Sequence, residues 1–310
     1  MGDSTGWALM VAERQSLEIC SVVSRLIDLS LEEDSPSGDI TVRSIGGLHV
    51  RGEGRIVAKE RLVVCGGPVL EAISARAHSP MLISQCILDG EVATPKDVVF
   101  ELSGELGELL RIERVLLNFL QHLSGVATHV RNVVEQAPPG ITLLDTRKTL
   151  PGFRSLEKYA VRVGGGKNHR MSLSDRVLIK DNHIDASQKS PAELIRESRS
   201  AVSQQIRIEV EVRTRAELAE AIPGRPDVIM LDNMSIDELR ECVAEIRKVN
   251  PNIEIEISGG ISAETLPRYR EFIGCSLSMG SLTYGARHVD LSMNIVPQRY
   301  TENSHQEANS

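Results

Sequence analysis

From residue 141 onward the chain alternates short apolar runs with helical ones, and no other feature constrains its fold as much. "ITLLD" (141–145), "RVLIK" (176–180), "IRIEVEV" (206–212), "DVIMLDN" (227–233), "IEIEIS" (253–258) and "SLSMG" (276–280) read as strands. The apolar spacing of "PAELIRESRSAVS", "RAELAEAI", "IDELRECVAEIRKV" and "AETLPRYREF" predicts helices between the later ones. Repeated βα units with apolar strands predict a parallel α/β sheet covered by helices. Six such strands suit a doubly wound sheet or a barrel. No G-x-G-x-x-G follows a strand, so a dinucleotide fold has no support and a barrel-like βα domain is expected.

The residues that end these strands carry the functional reading. They are Asp145-Thr146-Arg147-Lys148, Lys180, Glu211, Asp232, Ser258-Gly259-Gly260 and Gly280. In parallel α/β folds, ligands bind at the carboxyl ends of the strands. One polar strand end is usually a helix cap. A succession of ionisable ends followed by Gly-rich turns is the pattern of a site.

Before residue 141 the texture differs. "ALMVAERQSLEICSVVSRLIDLSLEED" is helical, "HVRGEGRIVAKERLVVCGG" alternates like strands, "PVLEAISARA" is helical, and "CILDGEVATPKDVVFELSGE" returns to strand and turn. That order predicts an α+β domain. "RIERVLLNFLQHLSGVATHVRNVVEQA" then reads as a long amphipathic helix, with Leu116, Leu120, Leu123, Ala127 and Val130 on one side.

Composition excludes several classes. With 310 residues and 41% hydrophobic content the chain can bury one or two substantial cores. A net charge of −8 and only 3% aromatic residues leave neither the basic field nor the stacking surface of a nucleic-acid binder. Anion binding is therefore expected in a local pocket. The five cysteines are scattered and form no C-x-x-C, which suits a reducing compartment rather than disulfides or a zinc site. No stretch approaches the roughly 20 apolar residues of a membrane span. There is no signal-peptide layout, so the expected location is the cytoplasm. "TENSHQEANS" (301–310) reads as a disordered tail.

The strand-end residues sort into three chemical groups. Arg147, Lys148, His169, Arg170 and Lys180 form a cationic set suited to a ligand with several negative charges. Glu211 and Asp232 suit Mg²⁺ coordination, hydrogen bonds to vicinal hydroxyls, or neutralisation of neighbouring cations. Glu209 precedes Glu211 by two residues and would also face the interior, with Val210 facing the helices. Ser258-Gly259-Gly260 and "SMGS" (278–281) offer backbone N–H groups to a phosphate. Together they suit a sugar phosphate with a diol, a metal-bound polyphosphate and a second anionic substrate, as in phosphoribosyl transfer to an anionic acceptor.

"VRVGGGKNHRMSLSD" (161–175) invites a different reading, a P-loop, but fails its spacing. The first glycine would fall at Val161 and the Ser/Thr at Asn168. Gly164 alone would serve to end the preceding helix. The run 164–166 reads as a flexible connection that lets His169 and Arg170 fold over the strand ends. Lys167 reads as a surface residue.

These residues resemble the quinolinate phosphoribosyltransferase family over nearly the whole chain. The resemblance is carried by "EEDSPSGDIT" (32–41), "RIERVLLNFLQHLSGVAT" (111–128) and "LLDTRKTLPGFRSLEKYAVRVGGGKNHRMSLSDRVLIKDNHI" (143–184), with "IEVEV", "MLDNMS" and "EISGGIS" further on. It implies an N-terminal α/β sandwich domain (1–115) joined by the returning segment 286–300, and an open α/β barrel (116–285). It implies formation of nicotinate mononucleotide, pyrophosphate and CO₂ from quinolinate and Mg²⁺-bound 5-phosphoribosyl 1-pyrophosphate, with no organic cofactor.

Carried over by residue, Arg147, His169, Arg170 and Lys180 would bind the two carboxylates of quinolinate. Arg114 would reach the site from the neighbouring subunit of a homodimer, or of a higher oligomer built from it. Lys148 would meet the phosphoribosyl pyrophosphate. Glu211 and Asp232 would hold the ribose hydroxyls and, directly or indirectly, Mg²⁺. With Lys148 they form the expected catalytic set. Ser258, Gly259, Gly260 and Gly280 would cradle the 5′-phosphate. The chain departs from the family at Ser172, where Gly is usual, and at Tyr284, where His is common. Competing readings are a related phosphoribosyltransferase with another acceptor, a catalytically silent scaffold, and a barrel aldolase using Lys180 as a Schiff base.

Overall fold

The computed structural model describes residues 17–46 and 48–298. The proposed tail and the first part of the N-terminal helical run lie outside them. The described chain divides into two compact units, one up to Thr128 together with the segment from Arg287, the other His129–Ala286.

The first unit opens with α1 (Ser21–Asp34) and α2 (Ile40–Ile45). Asp39 caps α2, accepting from the N–H groups of Thr41 and Val42. The strands β1 (Arg51–Ala58) and β2 (Leu62–Val63) precede α3 (Gly67–Ser74), and β3 (Leu82–Gln85), β4 (Val92–Ala93) and β5 (Val98–Glu105) follow it. Along β1 every second residue is buried, from Gly52 to Ala58, so one face packs on the core and the other meets water. The long helix is α4 (Leu106–Val134). Leu116, Leu120, Leu123, Ala127 and Val130 are all buried on it, as their spacing predicts.

In the second unit β6 (Thr142–Leu144) is followed by α5 (Arg154–Gly164), β7 (Val177–Ile179), α6 (Asp181–Ser187), α7 (Pro191–Ala201), β8 (Ile208–Val212), α8 (Arg215–Ala221), β9 (Val228–Asp232), α9 (Ile236–Val249), β10 (Glu254–Ser258), β11 (Ser276–Ser278) and α10 (Ser281–Tyr284). The six strands form one parallel sheet in the order β6-β11-β10-β9-β8-β7. From β7 to β11 each strand lies beside its predecessor, so the sheet winds in one direction. β6 and β7 stand at opposite ends without pairing to each other, which makes it an open barrel. Finally β12 (Leu291–Pro297) belongs to the first unit, whose antiparallel sheet runs β12-β1-β5-β3.

One predicted helix is corrected. "AETLPRYREF" forms only a 3₁₀ turn over Leu266–Tyr269. Pro267 has no N–H to give an α-helix and its ring clashes with the preceding turn, so the segment stops at one tight turn.

Strand periodicity then separates two chemistries. Val210, Val212, Ile229, Leu231, Ile255 and Ile257 are buried apolar residues at alternate positions. The intervening set, Leu178 and Lys180, Glu211, Met230 and Asp232, Glu256 and Ser258, Ser278 and Gly280, lines a single cavity of about 650 Å³. A period of two in the sequence thus becomes an inner wall and an outer wall.

Candidate active site

The inner wall holds all the strand-end residues singled out in this unit except Asp145. Thr146, Arg147, Lys148, His169, Arg170, Lys180, Glu211, Asp232, Ser258, Gly259, Gly260 and Gly280 line the one cavity. Arg114 does not belong to that unit. It lies exposed on α4, among the residues of the first unit.

Asp145 has a different task. It is fully buried and paired with Lys158, also fully buried, from α5. It accepts the His169 N–H at 2.8 Å and a hydrogen bond from the Asn168 amide, while Lys158 donates to the His169 carbonyl at 3.0 Å. This ion pair fixes the segment that carries His169 and Arg170.

The glycine run closes a helix and is not a loose connection. Gly164 is the last residue of α5, and Gly165 adopts φ 102°, the left-handed conformation of a helix C-cap. Gly165 N–H donates to the Arg162 carbonyl and Gly166 N–H to the Val161 carbonyl, the paired bonds of a Schellman motif. Lys167 then extends the sheet edge beside Leu144 with its side chain exposed, and it does not line the cavity.

Arg147 and Arg170 stand close enough to oppose one another. Burial, and then the Arg147 charge, make the Arg170 guanidinium less comfortable as a cation than usual. Arg147 Nε is buried without a hydrogen-bond partner. Two guanidiniums in this condition are a place for an anion. Lys180 Nζ donates to Glu211 Oε2 at 2.6 Å, and Asn233 Nδ2 donates to Asp232 Oδ2 at 2.6 Å.

The turn after β10 requires its glycine, and the turn after β11 is closely packed. Gly259 has φ 101°, and a Cβ there would lie 2.2 Å from Asn233 Oδ1 and 2.8 Å from Asn233 N. A Cβ on Gly280 would meet Tyr284 at 2.8 Å and Lys148 Cδ at 3.0 Å. Thr283 ties the same corner together by donating its hydroxyl to the Lys148 carbonyl at 2.8 Å.

Beneath the clamp lies a cluster that the strand-end pattern does not reveal. His169 Nε2 is 3.3 Å from Glu209 Oε2 and 3.4 Å from Glu256 Oε2, and Arg176 Nη1 is 3.0 Å from Glu209 Oε2. His169 Nδ1 accepts the Arg170 N–H at 2.7 Å. Burial first, then the Glu209 charge, pushes the Glu256 carboxyl up to about 7, while His169 and Arg176 hold Glu209 below its ordinary value against its own burial. Glu209, His169 and Glu256 are the one group of potential metal ligands among the described residues. Arg176 already supplies the cation that Glu209 needs, so the cluster is charge-balanced without a metal. Glu209 is interior, as its spacing predicts. Glu256 shares its period-two signal, two residues before Ser258 in "IEIEIS", as do Ser278 and Met230 on their own strands.

Comparison with known proteins follows the same lines. The family model for the C-terminal domain of quinolinate phosphoribosyl transferase matches residues 126–294, and that for its N-terminal domain matches residues 39–124. A probable nicotinate-nucleotide pyrophosphorylase (carboxylating) of Bacillus subtilis is 40% identical over 278 residues, which cover 88% of this chain and 93% of that protein. A protein of the same description from Methanocaldococcus jannaschii is 39% identical over 279 residues, covering 88% and 96%. The crystal structure of NadC from Streptococcus pyogenes is similar with a TM-score of 0.82 at 37% identity, over 89% of this chain and 97% of that one. Matched over most of its length by sequence and by fold, the chain belongs to the quinolinate phosphoribosyltransferase family.

Proposed function

We infer that the chain transfers the phosphoribosyl group of 5-phosphoribosyl 1-pyrophosphate to quinolinate, giving nicotinate mononucleotide, pyrophosphate and CO₂. The observation that carries this reading is the gathering of Arg147, Arg170 and Lys180 with Glu211, Asp232 and the Ser258–Gly260 turn around one cavity. A dicarboxylate needs the first set, a ribose diol the second, and a 5′-phosphate the third.

The transfer passes through an oxocarbenium-like carbon as pyrophosphate departs, so alignment and charge stabilisation outweigh any nucleophilic side chain. Arg147, Arg170 and Lys180 would grip the two carboxylates and aim the ring nitrogen at C1′. His169, its Nδ1 accepting the Arg170 N–H and its Nε2 facing Glu209 and Glu256, would hold Arg170 in position. Lys148 would meet the pyrophosphate, while Glu211 and Asp232 accept from the ribose hydroxyls. Two carboxylates on neighbouring strands are few ligands for a cation, which fits Mg²⁺, an ion that keeps waters and substrate oxygens in its shell. Mg²⁺ would neutralise charge on the leaving pyrophosphate. Leu178, Met230 and Met279 give the cavity an apolar patch that favours release of neutral CO₂.

The proposal extends to a cytoplasmic homodimer in which Arg114 of one copy serves the cavity of the other. No helix among the described residues is long and apolar enough to cross a membrane. Product analysis with quinolinate, phosphoribosyl pyrophosphate and Mg²⁺ tests the activity. Nicotinate mononucleotide and CO₂ are expected in equal amounts, and nicotinate in place of quinolinate should give little product. A chain that forms neither product would not have this activity.

A further inference from the structure

Glu256 has no role in the scheme above, yet it lines the cavity at 2% exposure. Its Oε2 lies 3.4 Å from His169 Nε2, and its Oε1 is buried with no hydrogen-bond partner. A carboxyl oxygen left this way is costly as an anion and tolerable as a neutral acid.

Burial and Glu209, the two strongest influences on Glu256, favour the neutral form over the opposing pull of His169, Ser278 and Arg176. Glu209, from β8, repels a second negative charge. His169 and Arg176, from the segment between α5 and β7, are both committed to Glu209 at 3.3 and 3.0 Å. Met230 from β9 and Leu178 from β7 bring no charge, and Ser278 from β11, also uncharged, turns its hydroxyl to the Glu256 carboxyl and is a weaker influence toward the anion. The remaining cations of the cavity, Arg147, Lys148, Arg170 and Lys180, would be engaged by the substrates. Glu211 and Asp232 add only further negative charge along the same wall. A dicarboxylate entering this space adds more again.

The chemistry proposed above needs a donor at this place. When CO₂ leaves, the bond between ring carbon C2 and its carboxylate breaks, and the electron pair stays on C2 beside the pyridinium nitrogen. C2 must then gain a proton. Arginine does not release one in proteins, and Lys180 is bound to Glu211. We propose that Glu256 is the acid that protonates C2 after CO₂ departs. Its O–H bond breaks as the C2–H bond forms, and the resulting carboxylate regains a proton from water after product release. The inference rests on the phosphoribosyl-transfer reading.

The test compares wild type, Glu256→Gln and Glu256→Asp in single turnover, with phthalate, a ring dicarboxylate lacking the nitrogen, as the binding probe. For Glu256→Gln we expect phthalate affinity within about threefold of wild type and a 10²–10³-fold slower appearance of nicotinate mononucleotide, in the range of general acid catalysis. Wild-type turnover should fall as pH rises above the Glu256 titration and show a solvent deuterium effect, and both should vanish in Glu256→Gln. Glu256→Asp keeps an acid and should keep the pH limb at a lower rate, which covers the case in which the glutamine variant does not fold. A Glu256→Gln enzyme as fast as wild type, a loss matched by equally weakened phthalate binding, or a Glu256→Asp enzyme without the pH limb overturns the inference. Wild type that makes no nicotinate mononucleotide overturns the functional reading, and this inference with it.

Discussion

Lys158 and Asp145 form an ion pair in which neither side chain meets water, and the pair holds His169 from both sides of its backbone. Burial pushes the Asp145 carboxyl up and the Lys158 ammonium down, against the attraction between them. Removing one partner leaves an uncompensated buried charge, which costs about 3–5 kcal/mol. Lys158→Met should therefore lower stability by that order and raise the quinolinate KM, because the His169–Arg170 segment loses its anchor. Lys158→Met combined with Asp145→Asn, which removes the unpaired charge but keeps an acceptor for the His169 N–H, should recover much of the stability without the binding. Denaturant unfolding of the three proteins decides it. A double variant less stable than the single one would refute the account.

Gly259 and Gly260 are adjacent, both at positive φ, yet they constrain different things. At Gly259 a Cβ would strike Asn233, backbone included, whereas at Gly260 nothing lies within 4 Å and the position opens on the cavity. Gly259→Ala should lower both the Tm and the affinity for phosphoribosyl pyrophosphate. Gly260→Ala should cost only about 1–2 kcal/mol of left-handed strain, and its larger effect should be on that affinity. Thermal unfolding beside a PRPP titration separates the two. Equal losses of stability would show that the contact at Gly259 relaxes cheaply.

The fold was readable because short apolar strands recur between helical runs, and two of the strands alternate strictly. "IEVEV" and "IEIEIS" place their isoleucines and valines against the helices and their carboxylates inside, and such a pattern survives translation into three dimensions. The strand ends gave the site for the same reason. What stayed hidden depends on long-range contact. Asp145 ends a strand as Arg147 follows it, and only packing against Lys158 from α5 shows that one is structural while the other lines the cavity. Glu256 stands two residues inside a strand, and its meaning arises from His169 and Glu209, 87 and 47 positions away. The predicted helix at 263–272 failed on Pro267, a local signal that apolar spacing overrode.

Glu256 also makes a prediction about stability with the sign reversed from most carboxylates. Its folded value of about 7 lies above the ordinary 4.5 of the unfolded chain. Between those values the native protein holds a proton that the unfolded chain has released. Stability from this group is thus complete below the unfolded value and lost as pH rises through the folded one. Glu256→Gln is neutral throughout and escapes the loss. The Tm of Glu256→Gln relative to wild type should rise by a few degrees between about pH 5 and about pH 8. A difference that stays flat, or shrinks, means that Glu256 is ionised in the native state.

Arg114 offers the sharpest test of the proposed dimer. It is exposed on α4 in the first unit, while Lys180 lines the cavity of the second. If each cavity is completed by Arg114 of the other copy, Arg114→Ala and Lys180→Ala homodimers should both be nearly inactive. A mixed dimer would then contain one cavity with both defects and one with neither. By the two-fold symmetry of such an assembly, random exchange of equal amounts should restore about a quarter of wild-type activity. Unfolding and refolding the mixture, followed by a quinolinate assay, reads this out directly. If Arg114 served the cavity of its own chain, every cavity in the mixture would carry one defect and no activity would return.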